Sequence, residues 1–135
     1  MGCDIHPVVF VAKSPGRTWR EVAGIPNRDR FYAFFGALAG VRVDCAEPIA
    51  PGRGRPMWLA AEEYDELTCA GLLSGQHSLS WAALSEIDSG ANDARLSTEV
   101  REQFAKWAQF MRECQKQHEW EPGCAEPVVV FDFDS

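Results

Sequence analysis

The chain has 135 residues, 46% of them hydrophobic and 24% charged, which is the composition of a single globular domain, residues 1–135, able to bury a core without disulfide or metal staples. Its net charge of −7 argues against a nucleic-acid polymer as partner, because phosphate backbones are held by basic faces. The first residues lack a basic segment followed by an apolar run, and no apolar stretch approaches the roughly 18 residues that span a bilayer, so a cytoplasmic protein without membrane contact is expected.

The opening segment DIHPVVFVA alternates. As a strand it puts Asp4, His6, Val8 and Phe10 on one face and Ile5, Pro7, Val9 and Val11 on the other. Pro7 has no N–H to give to a ladder, which points to an edge strand or a bulge. Ser14-Pro15-Gly16 is a turn signal, and Thr18 to Val22 then returns as the second strand of a β-hairpin.

From Arg30, RFYAFFGALAG is apolar nearly all round and predicts a buried helix with Gly40 as its C-cap. Three prolines and two glycines make Asp44 to Pro56 a loop, and this loop carries Arg53 and Arg55 within PGRGRP. AAEEYDELTCAGLL predicts a short helix with acidic residues near its start, where the helix dipole favours them. SGQHSLSW follows as a loop or short strand, with Ser80 placed to cap a helical turn through AALSEI.

The clearest helix runs from about Thr98 to His118. Val100, Phe104, Trp107, Met111 and Cys114 recur at helical spacing, Ser97 is the expected N-cap and Glu99 supports the first turn. Pro122-Gly123 ends this stretch. PVVVFDFDS then predicts a strand with Val130, Asp132 and Asp134 on one face and Val129, Phe131 and Phe133 on the other. Strands at both ends with helices between them predict an α+β domain, a small mixed or antiparallel sheet of N-terminal hairpin and C-terminal strand covered by helices.

Five cysteines, Cys3, Cys45, Cys69, Cys114 and Cys124, are an odd number without a C-x-x-C pair, and are read as reduced thiols. Residues 1–55 carry eight Lys/Arg against five Asp/Glu, and residues 56–135 five against fifteen. The first half is thereby suited to a compact anion.

MGCDIH at positions 1–6, ALAGVR at 37–42, the Arg-Gly turn and proline at Arg53, Gly54 and Pro56, the GxHSxSW run from Gly75 to Trp81 and the terminal VFDFD at 130–134 together resemble a family of small proteins encoded by bacteriophages and prophages. The resemblance covers most of the chain and implies a phage setting in a bacterial host, without an activity to carry over. Phe31 and Ala33 stand where that family more often has Asn and Asp, and Gln76 replaces an acidic residue, so a carboxylate-dependent role at those positions does not transfer.

Two groups of residues are candidates for chemistry. Asp4 and His6 emerge on one strand face about 7 Å apart along it. With the terminal strand alongside and His77 approaching from a loop, Asp4, His6, His77 and Asp132 form a candidate set for Mn²⁺, Zn²⁺ or Mg²⁺, and Asp4, His6 and His77 the catalytic groups of a metal-dependent phosphoesterase or hydrolase. The alternative is a hydrogen-bonded Asp4–His6 pair that fixes the chain terminus. Cys3 is set aside as a nucleophile, since it points away from His6 on a regular strand.

The second group is the basic loop. Arg53 and Arg55, with Arg28, Arg30 and Arg42 near in sequence, offer guanidinium forks for phosphate, and His77, Ser78 and Ser80 add hydrogen-bonding groups. These arginines can instead pair with the acidic second half, and the serines can satisfy a turn. No P-loop or dinucleotide fingerprint is present. Trp19, Trp58, Trp81 and Trp107 are read as core.

The function expected first is binding of a phosphate-bearing small molecule, in a phage setting the sequestration of a host nucleotide signal as an anti-defence device. The Asp/His hydrolase comes second. Third is a protein-interaction inhibitor of a host enzyme that uses the acidic half, with homo-oligomerisation open.

Overall fold

A computed structural model describes residues 2–12, 19–26, 30–118 and 125–134. In chain order the elements are β1 (Ile5–Ala12), β2 (Trp19–Gly24), α1 (Tyr32–Ala39), α2 (Ala61–Cys69), β3 (His77–Ala83), α3 (Leu84–Ala91), α4 (Thr98–Gln117) and β4 (Val128–Phe133). The strands form one four-stranded sheet in the order β2-β1-β4-β3, antiparallel at every pairing. This is the α+β architecture expected, with the N-terminal hairpin strands and the C-terminal strand in one sheet. The turn signals at Ser14–Gly16 and Pro122-Gly123 lie outside the described residues, as do Arg28 and Cys124.

The sheet carries apolar side chains on both faces. Ile5, Val9, Val11, Val129, Phe131 and Phe133 meet α1, α3 and α4 on one side. Val8, Phe10, Val128 and Val130 meet Leu67 of α2 with Leu59 and Leu73 on the other. β4 is buried along its whole length, because it has a strand on each edge and a layer on each face; its apolar run VVVF is what such a position demands.

β1 is an interior strand, paired with β2 on one edge and β4 on the other. Pro7 is tolerated there because its carbonyl accepts from Ile25 N–H at 3.1 Å, just beyond the end of β2. Its nitrogen faces that same side, where the ladder is ending, so only one further bond is forgone. A bulge follows in the β1–β2 register between Val9 and Phe10.

α1 begins at Tyr32 rather than Arg30 and ends on Gly40, which takes the left-handed conformation at φ 70° and sends its N–H back to Gly36 C=O at 2.8 Å. α3 and α4 approach so closely that a Cβ on Gly90 would lie 2.7 Å from the Phe104 ring. α4 follows its sequence pattern: Ser97 Oγ accepts from Val100 N–H, Glu99 occupies the first turn, and Val100, Phe104, Trp107, Met111 and Cys114 are buried. Ser80 does not cap α3. It lies inside β3, and the N-cap is Ala83, whose N–H is taken by Glu86 Oε1 at 3.1 Å. Among the described residues no helix is long and apolar enough to cross a membrane, and Cys3, Cys45, Cys69 and Cys114 are free thiols.

Trp107 sits at the centre of the larger core, edge-on to Phe34 and Phe131. Its Nε1–H is buried without a hydrogen-bond partner, a desolvation penalty that the ring's packing has to offset. Trp107→Phe is therefore expected to change stability by no more than about 1–2 kcal/mol, because lost volume is partly offset by removal of the orphan donor. Trp107→Ala is expected to cost about 3–5 kcal/mol, both read from urea midpoints at unchanged m-value.

Candidate functional site

The beginning of β1, the end of β4 and the beginning of β3 meet at one end of the sheet, in the register Ile5↔Phe133, His6↔Asp132 and His77↔Phe133. The motif MGCDIH is tied down there almost residue by residue. Cys3 is fully buried in the core, and its N–H donates to Tyr32 Oη at 3.1 Å. Asp4 N–H donates to Asp134 Oδ1, and Asp134 N–H to Asp4 C=O, each at 3.0 Å. The Asp4 carboxylate accepts from Arg30 Nε at 2.9 Å, a half-exposed pair. Arg30 lies across Gly2, where a Cβ would sit 1.7 Å from its Nη1, so the glycine leaves the guanidinium room to reach Asp4.

His6 and Asp4 do not pair with each other. His6 Nε2 donates to Asp134 Oδ2 at 2.6 Å, a short, partly buried bond. A carboxylate only accepts, so this bond fixes a proton on Nε2 and leaves Nδ1 of the neutral ring as an acceptor. Nδ1 has no partner among the described residues. His6 lines an open cleft of about 460 Å³ with Asp4, Pro7, Gly24, Ile25 and Leu72. The arrangement is an Asp–His dyad at a solvent-accessible cleft, suited to moving a proton or receiving a hydrogen-bond donor.

Asp132 shares the His6 face of the sheet but is turned to other use. Fully buried, it accepts from Ser74 N–H at 2.9 Å, Ser74 Oγ at 2.9 Å and Gly75 N–H at 2.8 Å. It anchors the segment between α2 and β3 by supplying an acceptor to two main-chain donors. His77 pairs with Phe133 and stacks on its ring, centroids 6.1 Å apart, which puts it on the face opposite His6. It shares a 2.9 Å hydrogen bond with Ser78 Oγ. Ser78 has φ +57° where the β3–β4 register breaks. Asp4, His6, His77 and Asp132 are thus not brought to one point, and among the described residues no group of three or more His, Cys, Asp or Glu is arranged to hold a metal ion.

The basic loop is engaged internally. Arg53 grips Glu86 with both terminal nitrogens, at 2.8 and 2.6 Å, donates to Trp81 and Ile49 carbonyls and lies 4.9 Å over the Trp81 ring. Glu86 is held below the usual carboxylate range chiefly by this bond. Ser80 Oγ donates to Ala50 C=O at 2.8 Å and accepts from Arg53 N–H at 3.1 Å. Arg55 donates to Leu59 C=O at 2.6 Å. With Gly54 N–H donating to Leu79 C=O at 2.8 Å, the loop closes the outer edge of β3. The Arg53–Glu86 pair is the anticipated neutralisation of first-half arginine by second-half acid.

Of the residues gathered at this end of the sheet, Asp4, His6 and Asp134 stood out in the sequence. Arg30 is 26 residues from Asp4, and only the register joins them. Ser74 and Glu86 carried no signal beyond a turn and a first-turn acid. Comparison of the chain with protein-family models, curated proteins and solved structures finds no match.

The Asp134 carboxyl is held below its ordinary value mainly by the bond from His6, aided by the Asp4 N–H and opposed by burial. A carboxyl lowered on folding contributes stability above its unfolded value of about 4, and this is lost as pH falls through the lower folded value. Asp134→Asn is expected to flatten that acid limb of the thermal-midpoint curve. Asp132→Ala is expected to destabilise by about 3 kcal/mol, since two main-chain donors lose their acceptor, and Asp132→Asn by about half as much. Urea unfolding at neutral pH measures the difference.

Proposed function

We propose that the protein binds a small phosphate-bearing molecule in the cleft at the end of the sheet, with the Arg30 fork facing the anion and His6 Nδ1 accepting from an O–H of the ligand. The observation that carries this reading is the His6–Asp134 dyad at 2.6 Å, in a cleft lined also by the Asp4 that holds Arg30. A phosphate would replace Asp4 on the Arg30 fork. That exchange is inexpensive because exposed ion pairs contribute little, and guanidinium forks fit phosphate oxygens. Arg53, Arg55 and Ser80 serve this reading only indirectly, by fixing the loop and β3. The resemblance to phage proteins gives it a biological form, in which a host nucleotide signal is sequestered and released unchanged.

A second reading is supported by the same dyad. A hydrolase would use His6 Nδ1 to take a proton from water as the water attacks phosphorus and the P–O bond to the leaving alcohol or phosphate breaks; the imidazolium, stabilised by Asp134, then returns the proton to the departing oxygen.

The two readings separate in one experiment. A panel of nucleoside mono-, di- and cyclic phosphates is titrated calorimetrically, and each mixture is then analysed chromatographically. Binding with unchanged nucleotide is the expected result, weakened about tenfold or more by Arg30→Ala and His6→Ala. Asp4→Asn is expected to tighten it by about threefold, because the internal competitor is gone. Product formation that disappears in His6→Ala would favour the hydrolase. Absence of heat with every member of the panel, or loss of binding in Asp4→Asn, would overturn phosphate capture at Arg30.

A further inference from the structure

On the face covered by α2, a groove of about 260 Å³ runs between that helix and the outer strand β2. Its floor is apolar, made by Phe10, Leu67 and Leu72, and its rim carries Glu21, Glu63 and Glu66. Glu21 projects on the same side as Phe10, its ladder partner. Glu63 and Glu66, three residues apart on α2, share a helix face. Among the described residues none of these three side chains has a hydrogen bond or an ion pair. The two ends of the sheet also differ. β3 has its outer edge closed by the Arg53 loop, whereas no described segment pairs with the outer edge of β2.

Three carboxylates around an apolar floor complement a cation carried on an aliphatic stem, the form of a lysine or arginine side chain. An open sheet edge complements an extended main chain, which gains the unmade ladder bonds. One occupant meets both conditions. We propose that the groove and the β2 edge dock an extended basic segment of a partner protein, in which Lys or Arg alternates with apolar residues so that one side of the added strand faces the groove. The charge of −7 on the chain speeds the encounter with such a segment and makes it salt-sensitive. This surface is separate from the His6 cleft, and its test does not depend on nucleotide binding.

The probe is a short fluorescent peptide of alternating lysine and leucine, titrated into the full chain at low and physiological salt. Saturable binding is expected to weaken about tenfold in Glu63→Gln/Glu66→Gln. It is expected to stay unchanged in Glu99→Gln/Glu102→Gln, which removes the same charge from α4. Equal weakening in both double variants would show attraction by net charge alone and overturn the groove. Equal binding of a peptide with alternate amides N-methylated would overturn docking on the β2 edge. Displacement of the peptide by spermine at equal affinity would replace the protein segment by a small polyamine, and no binding to the unaltered chain would overturn the proposal outright.

Discussion

The pairing of the first strand with the last is the constraint on which the rest of this fold depends. β1 and β4 are the two interior strands, and they bring residues almost 130 positions apart together, as in the side-chain bond between His6 and Asp134. Both helix layers rest on side chains from these two strands. Bringing such distant segments together carries a large loop-closure entropy, offset by the burial of two continuous apolar runs on both faces of the sheet. The reciprocal main-chain and side-chain bonds between Asp4 and Asp134 secure the end of this ladder.

The polar groups at that end divide by burial. Asp132, with no exposure, is committed to Ser74 and Gly75, and a carboxylate so enclosed serves to hold two segments together. His6, Asp4, Arg30 and Asp134 are only partly covered, and their bonds can be exchanged with those of a ligand at small energetic cost. The same distinction separates the arginines. Arg53, clamped by Glu86, two carbonyls and an indole ring, is a brace for the β3 edge, whereas Arg30 has one exposed partner.

Local patterns in the sequence carried much of the architecture. The period of α4, its Ser97 cap, the glycine that ends α1 and the alternation of both terminal strands each follow from residues within a few positions of one another. The interior position of β1 was not legible, because Pro7 signals an edge and only the place where β2 stops makes it tolerable. The site was half legible. Asp4 and His6 are marked by their spacing, but the choice of Asp134 over Asp132 as partner of His6, and the use of Arg30, depend on register and burial between segments far apart in the chain. The glycine-arginine loop looked like a ligand cradle because its composition is that of one, while its partners Glu86, Ile49 and Trp81 are fixed only by the tertiary fold.

The strand order has a consequence for synthesis. β4 is the last of the described strands to be made, yet it stands between β1 and β3, so neither of those can complete its pairing until residues 128–133 have been added. The nascent protein must hold the apolar run PVVFV, with one edge unpaired, until some 115 further residues have been added. Sheet assembly is therefore a late and cooperative event, and its timing makes the newborn chain, rather than the finished protein, the form most exposed to chaperones, proteases and self-association.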